Sequence, residues 1–176
     1  MRFEPLPLAG AYVIDLEPRR DPRGMFARAF CANEFAAQGL ETMFVQANMS
    51  TTSRAGAVRG MHFQRPPHAE VKLVRCVRGS IYDVIVDLRE GSPTFRHWFG
   101  AKLSDENGRM MYVPHGFAHG FQALTDNATT FYMVGAFYAP DAEGGVRHDD
   151  PVLAIHWPQP VTDVSHKDAR WPLLPG

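Results

Sequence analysis

The sequence predicts an all-β protein built as a sandwich or a barrel. Gly and Pro account for 15 and 14 of the 176 residues and break the chain into pieces too short for a helical bundle. Runs rich in β-branched residues recur between these breaks, and two of them flank Gly79-Ser80. Many short strands separated by turns are typical of sandwiches and barrels.

The strongest strand signal is the pair of runs 71–78 and 81–88, joined by Gly79-Ser80. A two-residue connection that begins with Gly predicts a tight hairpin, in which Lys72 faces Asp87. Alternation then gives one face a mixed character, with Lys72, Val74, Cys76, Asp83, Ile85 and Asp87. The other face is mostly apolar and predicts the contact between sheets, through Leu73, Val77, Tyr82, Val84 and Val86. The charged residues on the first face indicate either a solvated surface or a polar pocket.

The other predicted elements are shorter. Further strands are expected at 11–16, 43–47, 98–103, 109–113, 120–124 and 129–135. Asn33 is expected to cap a short helix over 34–38 that ends at Gly39. No repeat, low-complexity tract or linker divides the chain, so one domain over residues 1–176 is expected.

Composition excludes several classes of protein. The net charge of −1 and pI near 6.7 give no reason to expect a nucleic acid or a membrane as partner. No window approaches the roughly 20 apolar residues that span a bilayer, and no leader pattern stands at the N-terminus. Cys31 and Cys76 are too few for a disulfide scaffold, which favours buried thiols in a reducing compartment. A soluble, cytoplasmic protein is expected.

Two stretches, 58–64 and 113–121, carry the residues best suited to chemistry. They bring His62, His119 and Arg59 onto β-rich segments, with Lys72 nearby. This inventory suits a pocket for an anionic substrate and for proton transfer. Taken singly, such a histidine is more often structural, and Tyr132 in its apolar run is more often a core residue.

Short blocks of sequence follow one another in a characteristic order along nearly the whole chain. They are Asp21-Pro22-Arg23-Gly24-Met25-Phe26, Gln46-Ala47-Asn48, Arg59-Gly60-Met61-His62-Phe63-Gln64, Lys72-Leu73-Val74-Arg75, Asp83-Val84-Ile85-Val86-Asp87, Ser92-Pro93-Thr94-Phe95, Pro114-His115-Gly116-Phe117-Ala118-His119 and Ser165-His166-Lys167-Asp168. Together the blocks resemble the dTDP-4-dehydrorhamnose 3,5-epimerase family. The resemblance implies a cupin-like jelly-roll (double-stranded β-helix) barrel with a few short peripheral helices, and neither a cofactor nor a metal.

The resemblance also implies a reaction. The substrate would be a 4-keto-6-deoxyhexose on a nucleoside diphosphate, used in deoxysugar biosynthesis for lipopolysaccharide or another polysaccharide. Protons on C3 and C5 lie next to the C4 ketone, so inversion needs a base on one face, an acid on the other and a cation at the enolate oxygen. His62 matches the base, and Asp168 matches its carboxylate partner. Tyr132 matches the acid, and Lys72 matches the cation.

Binding roles carry over in the same way. Arg23 and Arg59 resemble diphosphate ligands, and Tyr138 matches an aromatic that stacks on the base. Further matched positions line the nucleotide-sugar cleft, namely Gln46, Asn48, His119 and Glu143. The resemblance implies a homodimer that exchanges its N-terminal strand segment, so that each subunit's Arg23, Phe26 and Arg28 complete the partner's site. The C-terminal segment, 150–176, is expected to pack on the barrel.

Three positions depart from the family pattern. Arg28 stands where a glutamate normally faces the nucleotide, Ala47 replaces an aspartate, and His148 replaces an aromatic. The first two concern base recognition, which leads to the hypothesis that Arg28 reads another base, as in a CDP- or GDP-linked sugar. Alternatively, Arg28 points to solvent.

Other functions compete with double epimerisation. A metal-dependent cupin is suggested by Pro114-x-Gly116-x-x-His119, although the partner motif, around His62 and Gln64, lacks its full ligand set. A non-catalytic sugar-nucleotide binder would share the fold. Epimerisation at C3 alone or C5 alone uses the same base and acid.

Overall fold

The structure, a computed structural model that describes residues 1–176, has antiparallel strands as its main regular elements. The strands are β1 (Arg2–Pro5), β2 (Tyr12–Asp15), β3 (Arg19–Asp21), β4 (Gly24–Phe26), β5 (Gln46–Thr52), β6 (Val58–Gln64), β7 (Lys72–Arg78), β8 (Ser80–Asp87), β9 (Trp98–Ser104), β10 (Met110–Val113), β11 (Phe117–Ala123), β12 (Ala128–Val134) and β13 (Glu143–Gly145). Helical structure is limited to α1 (Ala32–Ala37) and two 3₁₀ turns, Pro140–Ala142 and Asp168–Arg170. None of these helices has the length and apolar character that a membrane crossing needs.

Two sheets face each other. One has the strand order β1-β2-β10-β7-β12-β5 and the other β13-β6-β11-β8-β9, while β3 and β4 form a separate ribbon. Apolar side chains from both inward faces form the main core, among them Val74, Cys76, Ile81, Ile85, Leu103, Met111, Phe117 and Phe121. The predicted all-β class with short peripheral helices is confirmed.

The predicted hairpin around Gly79-Ser80 is wrong. β7 pairs with β10 and β12, whereas β8 pairs with β9 and β11 in the opposite sheet. Gly79, at φ +71°, turns the chain from one sheet to the other. The backbone N–H of Gly79 donates to the Asp105 carboxylate at 2.9 Å, and that of Ser80 donates to the Thr125 hydroxyl at 3.0 Å. The chain therefore passes from one sheet to the other at a corner instead of forming a hairpin turn, because distant side chains accept hydrogen bonds from the N–H groups of Gly79 and Ser80.

The contact between sheets was also predicted on the wrong face of β7 and β8. Val74, Cys76 and Ile85, from the mixed face, pack in the core between the sheets. Val84 and Val86 lie instead in an outer cluster beneath C-terminal residues. The predicted Lys72–Asp87 pair does not form, since Lys72 pairs with Glu70. The alternation was right, but flanking segments bury the outer faces too, so hydrophobicity could not distinguish them.

Most other boundaries agree with prediction to within a few residues. The strand expected at 43–47 is wrong, because β5 begins at Gln46 and runs to Thr52. The predicted cap is also wrong: Asn33 lies inside α1, and Cys31 occupies the N-cap position without a side-chain hydrogen bond. The helix is held by packing instead, since Phe35 is fully buried among apolar side chains.

The C-terminal residues lie along the second sheet and bring a functional segment to it. Val164 forms a parallel bridge with Val58 of β6. Gln122, fully buried, accepts a hydrogen bond from Gln159 N at 3.0 Å and donates one to Gln159 O at 2.9 Å. These contacts place Asp168 beside β6.

Candidate active site

Two adjoining hollows open among the strands of both sheets. The inner pocket has a volume of about 520 Å³, and its wall combines residues from β5, β6, β7, β11 and β12 with the C-terminal segment 163–168. The rim pocket, of about 290 Å³, is lined by Gln46, Asn48, Gln64, Glu70, Tyr138, Glu143 and their neighbours. His62, Lys72 and Tyr132 line both, so they stand where the hollows meet.

His62 and Asp168 form a directly hydrogen-bonded pair. His62 Nε2 lies 2.6 Å from Asp168 Oδ1, and the backbone N–H of Gly60 donates to Asp168 Oδ2 at 3.2 Å. Burial of the Asp168 carboxyl raises its pKa, but the hydrogen bond from His62, its charge and the Gly60 N–H outweigh burial and leave the pKa below its ordinary value. Asp168 is therefore an ionised acceptor at neutral pH.

An ionised Asp168 determines the tautomer of His62. A carboxylate can only accept, so Nε2 must carry the proton and Nδ1 keeps the lone pair. The ring is one-third exposed, at 33%, while Asp168 is 5% exposed. Asp168 thus fixes the orientation of the His62 ring and leaves Nδ1 as the basic nitrogen.

Gly60 permits this arrangement because it has no side chain. Its φ is +117°, and an added Cβ would lie 2.5 Å from Gly120 Cα on β11. β6 and β11 therefore approach closely just where Gly60 reaches Asp168.

Tyr132 and Lys72 come from neighbouring strands of the first sheet. Tyr132 pairs in register with Val74, and Lys72 with Val134, so both side chains share the inward face in diagonal positions. Burial, reinforced by the charge of Glu70 and opposed by Arg59, raises the pKa of the Tyr132 phenol. The phenol is therefore a neutral proton donor at physiological pH.

Arg59 and His119 supply further polar groups to the inner pocket. Arg59 Nε donates to Thr52 Oγ1 at 2.9 Å and Nη2 to the Thr51 carbonyl at 3.2 Å, both uncharged groups that leave its positive charge uncompensated. His119 Nε2 lies 2.8 Å from Asp83 Oδ1, and Asp83 is fully buried. A cation facing the pocket without an acidic partner suits an anionic ligand.

The remaining predicted cleft residues lie together at the rim. Gln46 Nε2 donates to Asn48 Oδ1 at 3.0 Å, and the Tyr138 hydroxyl donates to Glu143 Oε2 at 3.0 Å. Lys167 Nζ lies 2.6 Å from both Glu143 oxygens. Burial raises the pKa of Glu143, but Lys167 and Tyr138 outweigh it and keep that pKa below its ordinary value.

The three predicted ligands from the N-terminal segment lie outside both pockets of their own chain. The Arg23 side chain is 89% exposed and bonds only Asp21. Phe26 is exposed, and Arg28 Nη1 donates to Glu34 Oε1 at 2.8 Å. Arg28 therefore makes no contact with the base-recognition residues of its own subunit.

Several polar residues of these walls were given no role by sequence reasoning, among them Gln64, Glu70 and Lys167. A signal existed for Glu70 and Lys167, since Glu70 lies two residues before Lys72 and Lys167 immediately precedes Asp168. Gln64 ends the sequence block 59–64, but no local pattern indicated that its buried amide joins His68, Phe137 and Ala139 from separate loops.

A metal-dependent cupin requires several side chains that converge on one ion. No group of three or more His, Cys, Asp or Glu side chains in the chain is arranged to hold a metal ion. His62 Nε2 and His119 Nε2 are each bonded to an aspartate.

The fold and the pocket define a cupin-like enzyme equipped for acid–base chemistry. Residues 5–175 match the model of the family described as dTDP-4-dehydrorhamnose 3,5-epimerase. The chain belongs to this family, whose members are isomerases, and the resemblance seen in the sequence is confirmed.

Individual relatives cover almost the whole chain. The dTDP-4-dehydrorhamnose 3,5-epimerase of Methanothermobacter thermautotrophicus is 44% identical over 97% of this chain and 92% of its own. The dTDP-4-dehydrorhamnose 3-epimerase of Streptomyces niveus is also 44% identical, over 96% of this chain and 81% of its own. The crystal structure of the Bacillus anthracis 3,5-epimerase, with TDP and PPi bound, has a TM-score of 0.95 and 40% identity, covering 98% of this chain and 99% of that one.

Proposed function

We propose that this protein inverts C3 and C5 of a dTDP-linked 4-keto-6-deoxyhexose. The observation that carries the proposal is that His62, Lys72 and Tyr132 line one pair of joined pockets, with Asp168 hydrogen-bonded behind His62 at 2.6 Å. A base and an acid are both needed, because inversion removes a proton from one face of the ring and returns one to the other. Binding alone would require neither.

The proposed steps follow from the positions of these groups. His62 Nδ1 removes the proton on a carbon next to the C4 ketone, while Asp168 stabilises the imidazolium. The electron pair moves onto the ketone oxygen, where the Lys72 ammonium stabilises the enolate. The Tyr132 phenol then protonates the carbon from the opposite face, and a second cycle inverts the other centre.

Substrate binding is proposed to use the surrounding polar groups. Arg59, without an acidic partner, is suited to the diphosphate, and His119 contacts the substrate. Gln46, Asn48, Tyr138 and Glu143 hold the nucleoside at the rim. A dTDP sugar is preferred to a CDP or GDP sugar because the matching family is described by a dTDP sugar and the Bacillus anthracis relative has TDP bound.

We also propose a homodimer in which the arm, defined as residues 19–28, completes the partner's site. Arg23 and Phe26 are exposed and lie outside the pocket of their own chain. β5 is an edge strand whose neighbourhood exposes Met43, Val45 and Met49. Such an edge is a surface on which a partner can be accommodated.

The cellular setting is proposed from the same features. Residues 1–176 would act as one domain, since the C-terminal segment supplies Asp168 to the barrel. Cys31 and Cys76 are free thiols, which accords with work in the cytoplasm. Production of deoxysugar precursors for lipopolysaccharide or another polysaccharide would follow from the proposed reaction.

The test is an incubation of the protein with dTDP-4-keto-6-deoxyglucose in deuterated water, followed by NMR. Deuterium at both C3 and C5, with inversion at each, is expected. Deuterium at C3 alone would favour the second candidate, a 3-epimerase, which the Streptomyces niveus relative supports at 44% identity. Absence of label would refute epimerisation, and faster turnover of CDP- or GDP-linked substrates would refute the choice of nucleotide.

A further inference from the structure

Glu70 occupies a position in the pocket wall that the proposed proton transfers do not use. It precedes β7 by two residues and lines the rim pocket. Its Oε1 lies 3.1 Å from Lys72 Nζ, and the two side chains are only 11% and 9% exposed. Gln64 Nε2 donates to Glu70 Oε2 at 3.4 Å, so both carboxylate oxygens have partners.

The ammonium of Lys72 is held between two acceptors. Besides Glu70, Lys72 Nζ donates to the carbonyl oxygen of His62 at 3.4 Å. An ammonium has three donors, so one remains for a bound ligand. Glu70 thereby restricts where that donor can point.

Glu70 also acts on Tyr132 through its charge. A cation placed to stabilise an enolate favours ionisation of any phenol nearby, which would remove the proton that the phenol must donate. A carboxylate paired with that cation opposes this effect. The pKa of Tyr132 is raised by burial first and by Glu70 second, and Arg59 opposes them. Other charged or titratable groups share the pocket walls with Tyr132, namely Arg54, His62, Lys72, His119, Tyr138, Glu143, Asp163, Lys167 and Asp168.

We propose that Glu70 is a positioning residue for the epimerase reaction: its carboxylate holds Lys72 against the pocket wall and keeps a fixed negative charge in the pocket that Tyr132 also lines. The inference rests on the proposed function. It adds to that function a residue whose negative charge lets the Lys72 ammonium stabilise the enolate while the Tyr132 phenol stays protonated.

The test compares Glu70→Gln with Asp15→Asn. The first change keeps the shape of the side chain and removes its charge. The second removes a similarly covered carboxylate, 16% exposed and paired with Arg109, away from both pockets. In Glu70→Gln we expect kcat to fall about 10-fold while KM stays within about 3-fold. The alkaline limb of the pH profile of kcat should move to lower pH, because the phenol then ionises more easily.

A second readout needs no activity. The ultraviolet phenolate absorbance is titrated in the protein and in Tyr132→Phe, and the difference isolates Tyr132. The same pair is measured with Glu70→Gln present, where the midpoint should lie lower by about 0.5 pH or more. Asp15→Asn should leave the midpoint unchanged.

The possible failures are separable. An inactive wild-type protein would refute the proposed function, while the phenolate titration would still report on the effect of Glu70. An active wild type whose midpoint and kcat are unmoved by Glu70→Gln would overturn the inference. A lower melting temperature with an unmoved midpoint would also overturn it, because the role of Glu70 would then be structural.

Discussion

The hydrogen bond between His62 and Asp168 is a single contact on which the proposed base depends. Because Asp168 is ionised and accepts from Nε2, it leaves the lone pair on Nδ1. An asparagine at the same place could present its amide group instead and favour the other tautomer. The chemistry should therefore be sensitive to a change that barely alters the volume of the side chain.

We predict that Asp168→Asn lowers the rate of deuterium incorporation about 100-fold or more, with a small effect on KM. The measurement is the initial rate of label uptake by NMR. Asp149→Asn, which removes a carboxylate from an exposed pair with Arg147, serves as the control. Equal rates in the two variants would contradict the assignment of His62 as an oriented base.

Tyr132 has a different expected signature, because a proton donor acts after the enolate has formed. In Tyr132→Phe we predict that His62 still removes the proton and returns deuterium to the same face. Label should then enter the substrate while the inverted product falls about 100-fold. NMR distinguishes labelled substrate from product, and normal inversion in this variant would show that another group is the donor.

At a few places the strands of this fold tolerate only one type of residue, and the close approach of β6 to β11 at Gly60 is one of these places. A Cβ at Gly60 would meet backbone atoms of Gly120 and His119 at 2.5 and 2.8 Å. Gly91, by contrast, also has a positive φ but has nothing within 4 Å. An alanine at Gly91 would therefore suffer backbone strain alone, whereas an alanine at Gly60 would also clash with β11.

We predict that Gly60→Ala lowers the free energy of unfolding by about 3 kcal/mol and that Gly91→Ala lowers it by about 1 kcal/mol. Urea unfolding measures both. Gly60→Ala should also reduce turnover, since its N–H holds Asp168. Similar losses in the two variants would mean that the strands can separate at little cost.

A second such place lies where β8 ends, at a buried carboxylate held by hydrogen bonds. The fully buried Asp87 carboxylate accepts from Arg89 Nη2, Ser92 Oγ and Thr94 Oγ1 at 2.7, 2.6 and 2.7 Å. Burial raises its pKa, but these donors outweigh burial and hold the pKa far below its ordinary range. A depressed folded pKa stabilises the protein above the unfolded value, near 3.9, and that contribution is lost as pH falls below it.

We predict that Asp87→Asn lowers the free energy of unfolding by about 3 kcal/mol at pH 7. The gap between variant and wild type should narrow at pH 3, because the Asp87 carboxyl of the unfolded wild type then takes up a proton while the native carboxylate stays ionised, which favours unfolding. Urea unfolding at the two pH values checks this. A gap that is constant with pH would show that charge is not the source of the stability.

At the scale of the whole molecule, the proposed dimer makes each active site a product of two chains. Arg23 would then act in the partner's pocket, while Asp168 acts in its own. Variants of these two residues should complement one another when their subunits are mixed.

We predict that an equal mixture of inactive Arg23→Ala and Asp168→Asn chains, after unfolding and refolding together, regains about a quarter of wild-type activity, since half the dimers are mixed and each has one intact site. Each variant refolded alone is the control. No recovery would place Arg23 and Asp168 in the site of one chain and refute the exchange.

The sequence alone was sufficient for the all-β class, for most strand positions and for part of the pocket lining, including His62, Lys72 and Tyr132. These features depend on short-range properties: alternation along a strand, turn residues and ordered blocks around His62, Lys72 and Tyr132. Alternation correctly grouped Lys72, Val74 and Cys76, because it follows from the geometry of one strand.

Only the tertiary structure decided how those pieces meet. The corner at Gly79 depends on Asp105 and Thr125, which lie far along the chain. The partner of His62 lies 106 residues away and is brought near by the C-terminal segment. Gln64 acquires its role from Phe137 and Ala139, which lie 73 and 75 residues further along the chain. Strand pairing and side-chain contacts are interactions between distant segments, and local patterns do not specify their partners.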